Sequence, residues 1–222
     1  METRTEENYL KVIYTISDNS SEVFSTKVIA EHINSKPSSV TNMIQRLSLK
    51  NLVHYKKYKG VSLTEKGKNK ALQIIRKHRL WELFLVEHLN FSWSEVHEIA
   101  EQLEHVSSPL LVNRLDSFLN YPARDPHGDI IPNEDGNMRN DNTILLSKVL
   151  NEQSCIITRI KNSSTEFLVC LDNLGIGLGT ELQVLELFPY DNSKRAKVDE
   201  KNIISLSDKI CNNLYVELKR NQ

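Results

Sequence analysis

The sequence lacks three things that would narrow its class at once: an apolar run long enough to cross a membrane, paired cysteines, and an overall excess of either charge. A spanning helix needs about 18 or more consecutive apolar residues, and no stretch of the 222 residues approaches that. The opening METRTEENYL has no apolar centre of the kind a secretory signal needs, so a cytoplasmic protein is expected. Cys155, Cys170 and Cys211 are odd in number and without CxxC spacing, which argues against a disulfide framework and against a thiolate zinc site. A phosphate loop, a nucleophile motif and a pocket-forming α/β pattern are missing as well. What remains is 39% hydrophobic and 26% charged, enough to bury a core in one large domain or two smaller ones.

The net charge of −1 hides an uneven distribution. Residues 1–70 hold 12 Lys/Arg against 7 Asp/Glu, residues 71–142 hold 6 against 12, and the remainder balances. A basic first third suits a polyanionic partner, and an acidic middle suits cations.

The first third carries helical patterning. Thr5 can cap a helix with Tyr9, Leu10, Val12, Ile13 and Ile16 at helical spacing, ending near Asp18 to Ser21. Ser25 can cap a short helix through Ile33, and a turn at Asn34-Ser35-Lys36 leads to Pro37, which fits the first turn of another. That second helix places Val40, Met43, Ile44 and Leu47 on one stripe and Ser38, Thr41, Asn42 and Gln45 on another. Two short helices joined by a tight turn, the second showing small hydrogen-bonding residues outward, form a helix-turn-helix pattern, whose recognition helix must fit the major groove. Candidate DNA contacts there are Lys36, Ser38, Ser39, Thr41, Asn42 and Gln45.

VHYKKYKGVSLTEKG then reads as two strands around a Tyr58-Lys59-Gly60 turn, with Thr64 capping a helix that runs to about Leu89. The pattern is a winged helix-turn-helix. Lys56, Lys57 and Lys59 would reach phosphates from the wing, adding affinity with little sequence choice.

The acidic middle holds a different kind of pattern. On a helix, His97, Glu101, Glu104 and His105 fall within an arc of roughly 100°, and His78 and Glu82 stand one turn apart in the preceding segment. Together they form an oxygen and imidazole donor set suited to Mn²⁺, Fe²⁺, Co²⁺, Ni²⁺ or Zn²⁺. Beyond this face, Leu110, Leu111, Leu115 and Phe118 offer an apolar surface for an isologous homodimer.

These residues carry a resemblance to the diphtheria toxin repressor family of metal-dependent transcription regulators, which includes the manganese transport regulators. It runs through NYLKVIY, KPSSVTNMIQRL, YKGVSLTEKG, RKHRLWE and VHEIAEQLEHVSS. The resemblance implies a mainly α fold with small β parts, in three domains: a winged helix-turn-helix domain over 1–70, a helical dimerisation and metal-binding domain over 71–122, and an SH3-like domain over 143–222. Residues 123–142, rich in Pro, Gly, Asn and Asp, read as a linker; within it His127 and Asp129 look more like turn residues than ligands. The runs CIITRI, ELQVLELF, NIISLS and YVELK, with a helical segment from Glu166, suit a small barrel like that of ferrous-transport proteins.

Carried over by position, Glu101, Glu104 and His105 match the family's primary metal site. Asn8 stands where the first helix adds a ligand, usually methionine or aspartate. Lys11 stands where some manganese-responsive members have glutamate, which argues against a closely spaced pair of ions. His78, Glu82 and His97 match the ancillary site, and Glu166 is the nearest carboxylate in the last domain. Iron-responsive relatives commonly have cysteine where this chain has Glu101, so the resemblance implies Mn²⁺ as cofactor, with Fe²⁺ as the alternative. The expected output is metal-dependent repression by a dimer on double-stranded operator DNA, with no membrane partner and no enzymatic activity. A metallohydrolase or oxidase built on helix-borne Glu and His ligands is the alternative of another class.

Overall fold

A reciprocal cap opens the first helix two residues earlier than Thr5 would set it. In a computed structural model that describes residues 2–17, 23–93, 95–106, 108–139, 141–162 and 164–219, the Thr3 hydroxyl accepts from the Glu6 N–H at 3.3 Å and the Glu6 carboxylate accepts from the Thr3 N–H at 2.9 Å. This capping box starts α1 at Arg4–Ser17. The expected end near Asp18 to Ser21 lies outside the described residues.

Helices α2 (Thr26–Ile33) and α3 (Pro37–Leu49) follow. Ser25 caps α2 through Val28 N–H, Asn34 closes it in the left-handed region at φ 51°, and Pro37 opens α3. Strands β1 (Val53–Lys56) and β2 (Gly60–Leu63) form the antiparallel wing, and Phe24 adds a bridge to Val61. Leu10, Ile13, Ile29, Val40, Ile44, Leu47, Leu52 and Val61 are fully buried behind these elements. At about 25 cal/mol per Å² of apolar area, this packing outweighs any helix propensity of segments as short as α2.

The Thr64 hydroxyl caps α4 (Glu65–Leu89) by accepting from Gly67 N–H at 3.0 Å. The chain continues through α5 (Val96–Leu103) and α6 (Pro109–Phe118); Ser94 and Ser107, part of the expected helical stretch and of the LEHVSS motif, lie outside the described residues. The last part forms an antiparallel sheet of six strands, ordered β3 (Ile144–Leu145), β8 (Leu214–Leu218), β4 (Ser154–Ile160), β5 (Glu181–Leu187), β6 (Lys194–Val198) and β7 (Asn202–Leu206). Helices α7 (Thr165–Leu174) and α8 (Asp208–Cys211) accompany it. Cys155 and Cys211 are buried in its core among Leu168, Leu171, Leu182 and Val216, and burial pushes their thiols up to about 12 and about 11, so they are inert core residues. β6 was not visible in the sequence, because Lys194 looks like a surface residue; in the fold it is buried and donates to the Val149 carbonyl at 2.6 Å.

The chain divides into two compact units. One takes Met1–Trp81, Glu101–Phe118 and Pro132–Met138, and the other Glu82–Ala100, Leu119–Ile131 and Arg139–Gln222. The linker-like composition around residue 125 is spent on ordered turns. The Asp125 carboxylate accepts from the N–H groups of His127 and Asp129 at 2.8 and 2.9 Å, and Ile130 and Ile131 are buried. Gly128 is needed there: at φ 85° a Cβ would come within 2.1 Å of the Thr158 carbonyl oxygen.

Gly67 matters for a different reason, since a Cβ on it would lie 1.9 Å from the Leu52 carbonyl oxygen. Gly67→Ala must push the start of α4 off the wing, and overpacking of this kind costs about 1–3 kcal/mol. The expected result is a lower urea midpoint by circular dichroism; an unchanged midpoint would show that α4 starts are free to shift.

Candidate metal centre

Helix α1 places Glu7 and Lys11 on one face, one turn apart, and both reach the stretch that follows α5. The Lys11 ammonium donates to Glu104 Oε2 at 2.7 Å and lies 3.8 Å from Glu101 Oε1. His105 Nδ1 is 2.6 Å from Glu7 Oε2, and its Nε2 is 3.7 Å from Glu104 Oε1. His78, from α4, completes the group with Nδ1 at 2.6 Å from Glu104 Oε2.

Glu104 is the centre of this helical cluster, with a side chain only 1% exposed. Burial alone would raise its carboxyl, but the hydrogen bond from His78, the charge and hydrogen bond of Lys11, and the nearby imidazole outweigh that and hold it below the usual carboxylate range. Lys77 lies close enough to feel Glu7 and Glu104, and its own ammonium is lowered chiefly by burial.

Asn8, the expected first-helix ligand, is exposed and turned about 100° along the helix from Glu7; Glu7 and Lys11 are the α1 residues whose contacts reach the cluster. The i, i+4 spacing of those two was the missed signal. The common arc of His97, Glu101, Glu104 and His105 is also broken, since α5 ends at Leu103 and the last two follow in a turn.

A second group forms around Glu82. His97 Nδ1 lies 3.3 Å from Glu82 Oε1, and His127 Nε2 lies 3.8 Å from the same oxygen. His78 stands one turn before Glu82 on α4, and ligand atoms of His78, Glu82 and His97 all come within 4.8 Å of one another. Among the described residues this is the one group of three or more His, Cys, Asp or Glu with that closeness. The Glu82 carboxylate is 3% exposed and sits among imidazoles, a nitrogen and oxygen donor set that fits a divalent first-row ion. Because Nδ1 of His78 donates to Glu104, coordination would go through its Nε2; a carboxylate behind a histidine ligand fixes the ring and raises its basicity. The tautomer is assigned from the 2.6 Å contact.

His127 lies in a turn, as its sequence setting suggested, and the turn brings a buried imidazole to Glu82, with its ring stacked 6.2 Å from that of Trp93. Glu166 is exposed in the first turn of α7 and is outside the group.

The residues expected to contact DNA lie on α3, just before it and on the wing. Ser38, Ser39, Asn42 and Gln45 are exposed on α3, as are Lys36 before it and Lys56, Lys57 and Lys59 on the wing. Thr41 is half-buried, and its hydroxyl already donates to the Pro37 carbonyl at 2.9 Å. At the far end of α3, the Lys50 ammonium lies 2.8 Å from Glu6 Oε2 and the Arg46 guanidinium lies 3.6 Å from Glu6 Oε1, so α1 is tied to α3 as well as to the cluster. Fully buried, Glu6 would be raised by desolvation, but its contacts with Lys50, Thr3 and Arg46 hold it low and ionised.

Residues 1–61 match the family model of the iron dependent repressor N-terminal DNA binding domain, 64–133 that of the iron dependent repressor metal binding and dimerisation domain, and 144–218 the FeoA domain. An HTH-type transcriptional regulator of Methanocaldococcus jannaschii is 38% identical over 113 residues, covering 51% of this chain and 90% of that protein. The iron-dependent repressor IdeR of Mycobacterium tuberculosis is 34% identical over 128 residues, 58% of this chain and 55% of IdeR. Among solved structures, a manganese-dependent transcriptional repressor in complex with manganese superposes with a TM-score of 0.88 at 33% identity, over 96% of this chain and 99% of that one. The winged domain, the helical cluster and the terminal sheet are thus the parts of one known architecture, and the chain belongs to the iron-dependent repressor family of metal-dependent, DNA-binding transcriptional regulators.

Proposed function

We propose that the chain is a manganese-responsive repressor of metal-homeostasis genes, with Fe²⁺ as the alternative effector, acting in the cytoplasm as a homodimer on double-stranded operator DNA and without enzymatic activity. The observation that carries this reading is the group of His78, Glu82 and His97, joined to the helical cluster through His78 and Glu104. A divalent ion, when bound, supplies positive charge to the buried Glu82 carboxylate. The other parts belong to the chain. Glu104 orients the His78 ring, Lys11 and Glu7 attach α1 to the same stretch, and Glu6 holds the end of α3. An effector that favours one setting of α1 therefore favours one setting of the recognition helix, and by linkage DNA favours the effector equally. Burial of Glu82 and Glu104 suits a retained ion rather than one presenting activated water to a substrate, which is why the hydrolase alternative is set aside.

The metal assignment predicts that operator affinity rises roughly 5- to 150-fold on addition of Mn²⁺ to protein freed of metal, and that Glu82→Gln loses this rise while keeping the metal-free affinity. Anaerobic titrations with Mn²⁺ and Fe²⁺, read by fluorescence anisotropy on operator DNA, measure it. A wild type that answers Fe²⁺ and ignores saturating Mn²⁺ sinks the manganese assignment but leaves the repressor.

For the DNA interface, Asn42→Ala should cut the preference for operator over random DNA by about 1–3 kcal/mol, the value of a base-edge contact. Lys57→Ala should instead weaken both by a similar factor. Equal loss on both DNAs for Asn42→Ala would remove it from the base-reading stripe.

Assembly rests on the apolar residues of α6. Leu110 and Phe118 are 63% and 58% exposed, and Leu111 is 40% exposed, whereas Leu115, expected on the same surface, is buried within the chain's own core. Replacing Leu110 and Phe118 together with Asp should convert a dimer in sedimentation velocity to monomer at micromolar concentration; a wild type already monomeric with and without Mn²⁺ would count against the dimer.

A further inference from the structure

We propose that Tyr58, at the tip of the wing, reads the minor groove beside each half-site by donating its phenol O–H to A·T base pairs, so that the operator carries a sequence requirement in its flanks as well as under α3. The inference deepens the repressor reading above and rests on it.

Three observations carry it. First, the tip presents the ring outward: Tyr58 is 94% exposed, although an aromatic ring is a group that chains usually cover at least in part. Second, the chain holds it there against its own backbone preference. Tyr58 sits at φ 66°, in the left-handed region that turns normally fill with Gly, Asn or Asp. A residue with a Cβ stays in that region only when its surroundings fix it, and such positions gather where a ligand is bound. Here the Lys59 N–H donates to the Lys56 carbonyl at 2.9 Å across the tip, and Phe24 exchanges two backbone hydrogen bonds with Val61, of 2.9 and 2.8 Å, at the base of the wing. Third, the ring is set among cations. The Lys57 ammonium lies 5.2 Å from the ring centroid, within cation–π range, and Lys56 and Lys59 are exposed on either side in sequence.

Geometry says which groove. With α3 in the major groove, the wing starts from the end of that helix, Leu47 of α3 and Val53 of β1 sharing one buried core. The four residues of β1, at about 3.3 Å each, give an arm of about 13 Å, which carries the tip past the phosphate ridge to the adjoining minor groove. The lysines then face phosphates and add affinity alone. Within Lys56-Lys57-Tyr58-Lys59-Gly60, only the tyrosine joins a flat apolar body, thin enough for a groove about 6 Å wide, to a neutral donor. An A·T pair offers only acceptors there, adenine N3 and thymine O2, while a G·C pair adds the guanine amino group, itself a donor. A phenol O–H therefore favours A·T, and the narrow groove of A·T-rich DNA, with its stronger negative potential, favours the lysines beside it.

The test starts from a duplex that the full-length protein, with Mn²⁺, selects out of random DNA. Single base pairs flanking each half-site are then replaced by A·T, by G·C or by inosine·cytosine, which shows the minor-groove edge of A·T and the major-groove edge of G·C, and affinities are read by fluorescence anisotropy at one salt concentration. At one flanking position per half-site, wild type is expected to bind A·T and inosine·cytosine alike and G·C about fivefold more weakly, the worth of one hydrogen bond. Tyr58→Phe, which keeps the ring and loses the donor, and Tyr58→Ala should bind all three equally. Both should melt with wild type by circular dichroism, since the ring lies outside the core. A wild type indifferent to the flanks overturns the inference. So does an A·T preference that inosine·cytosine does not share, which belongs to the major groove, or one that persists undiminished in Tyr58→Phe. A protein that enriches no sequence with Mn²⁺ or with Fe²⁺ overturns the repressor reading itself, before any flank is changed.

Discussion

Glu104 is a carboxylate with almost no access to water, and the structure around it is arranged so that it is never without positive charge. An isolated buried carboxylate is costly enough that it would take up a proton; here Lys11 and His78 keep it ionised. That requirement fixes where α1 lies, because Lys11 can reach Glu104 only with α1 against the turn after α5. It also orients the His78 ring, whose Nδ1 lies 2.6 Å from the same oxygen. The setting of α1 is then passed on by Glu6 to the end of α3. One buried charge thus organises a helix, a candidate metal ligand and, at one remove, the candidate recognition helix.

How much of this could be read in advance depends on whether a feature is periodic. The recognition helix and wing were legible because Val40, Ile44 and Leu47 alternate with exposed Ser38, Asn42 and Gln45 at helical spacing, and because Lys-Lys-Tyr-Lys-Gly between β-patterned residues is a turn signal. Ser25 and Thr64 were legible as caps. Thr5 was not the cap of α1, since Thr3 and Glu6 satisfy each other's N–H groups and a lone threonine cannot compete with that pair. Leu115 and Lys194 failed for opposite reasons. An apolar stripe does not say whether its partner is the chain itself or a second copy, and a lysine in a strand does not say that a carbonyl waits for its ammonium. His127 was hidden by composition: Pro, Gly and Asp mark a turn correctly, but nothing in them tells which way the turn aims the residue between.

The candidate site was legible as chemistry and illegible as geometry. Most of the carboxylates and imidazoles could be named from spacing, with Glu6, Glu7 and His127 the exceptions, yet their grouping depends on where α5 stops. Had the helix continued past Leu103, His97 and His105 would share a face; its end sends Glu104 and His105 to α1 and leaves His97 with Glu82. A helix terminus is the least determined feature of a sequence, and here it decides which ligands belong together.

The contacts of α1 also bear on how this protein should respond to ionic strength. Counted from sequence, the first 70 residues hold 12 basic side chains, a number that would suggest many displaced counterions on DNA and a steep fall in affinity with salt. Several of those cations already pair with carboxylates of the same chain: Lys11 with Glu104, Lys50 and Arg46 with Glu6, Lys70 with Glu2. A cation already neutralised by a carboxylate releases little when it approaches a phosphate. The slope of log affinity against log salt is therefore set by the exposed lysines of the wing and of the turn before α3, and it is shallower than the basic excess of the domain implies.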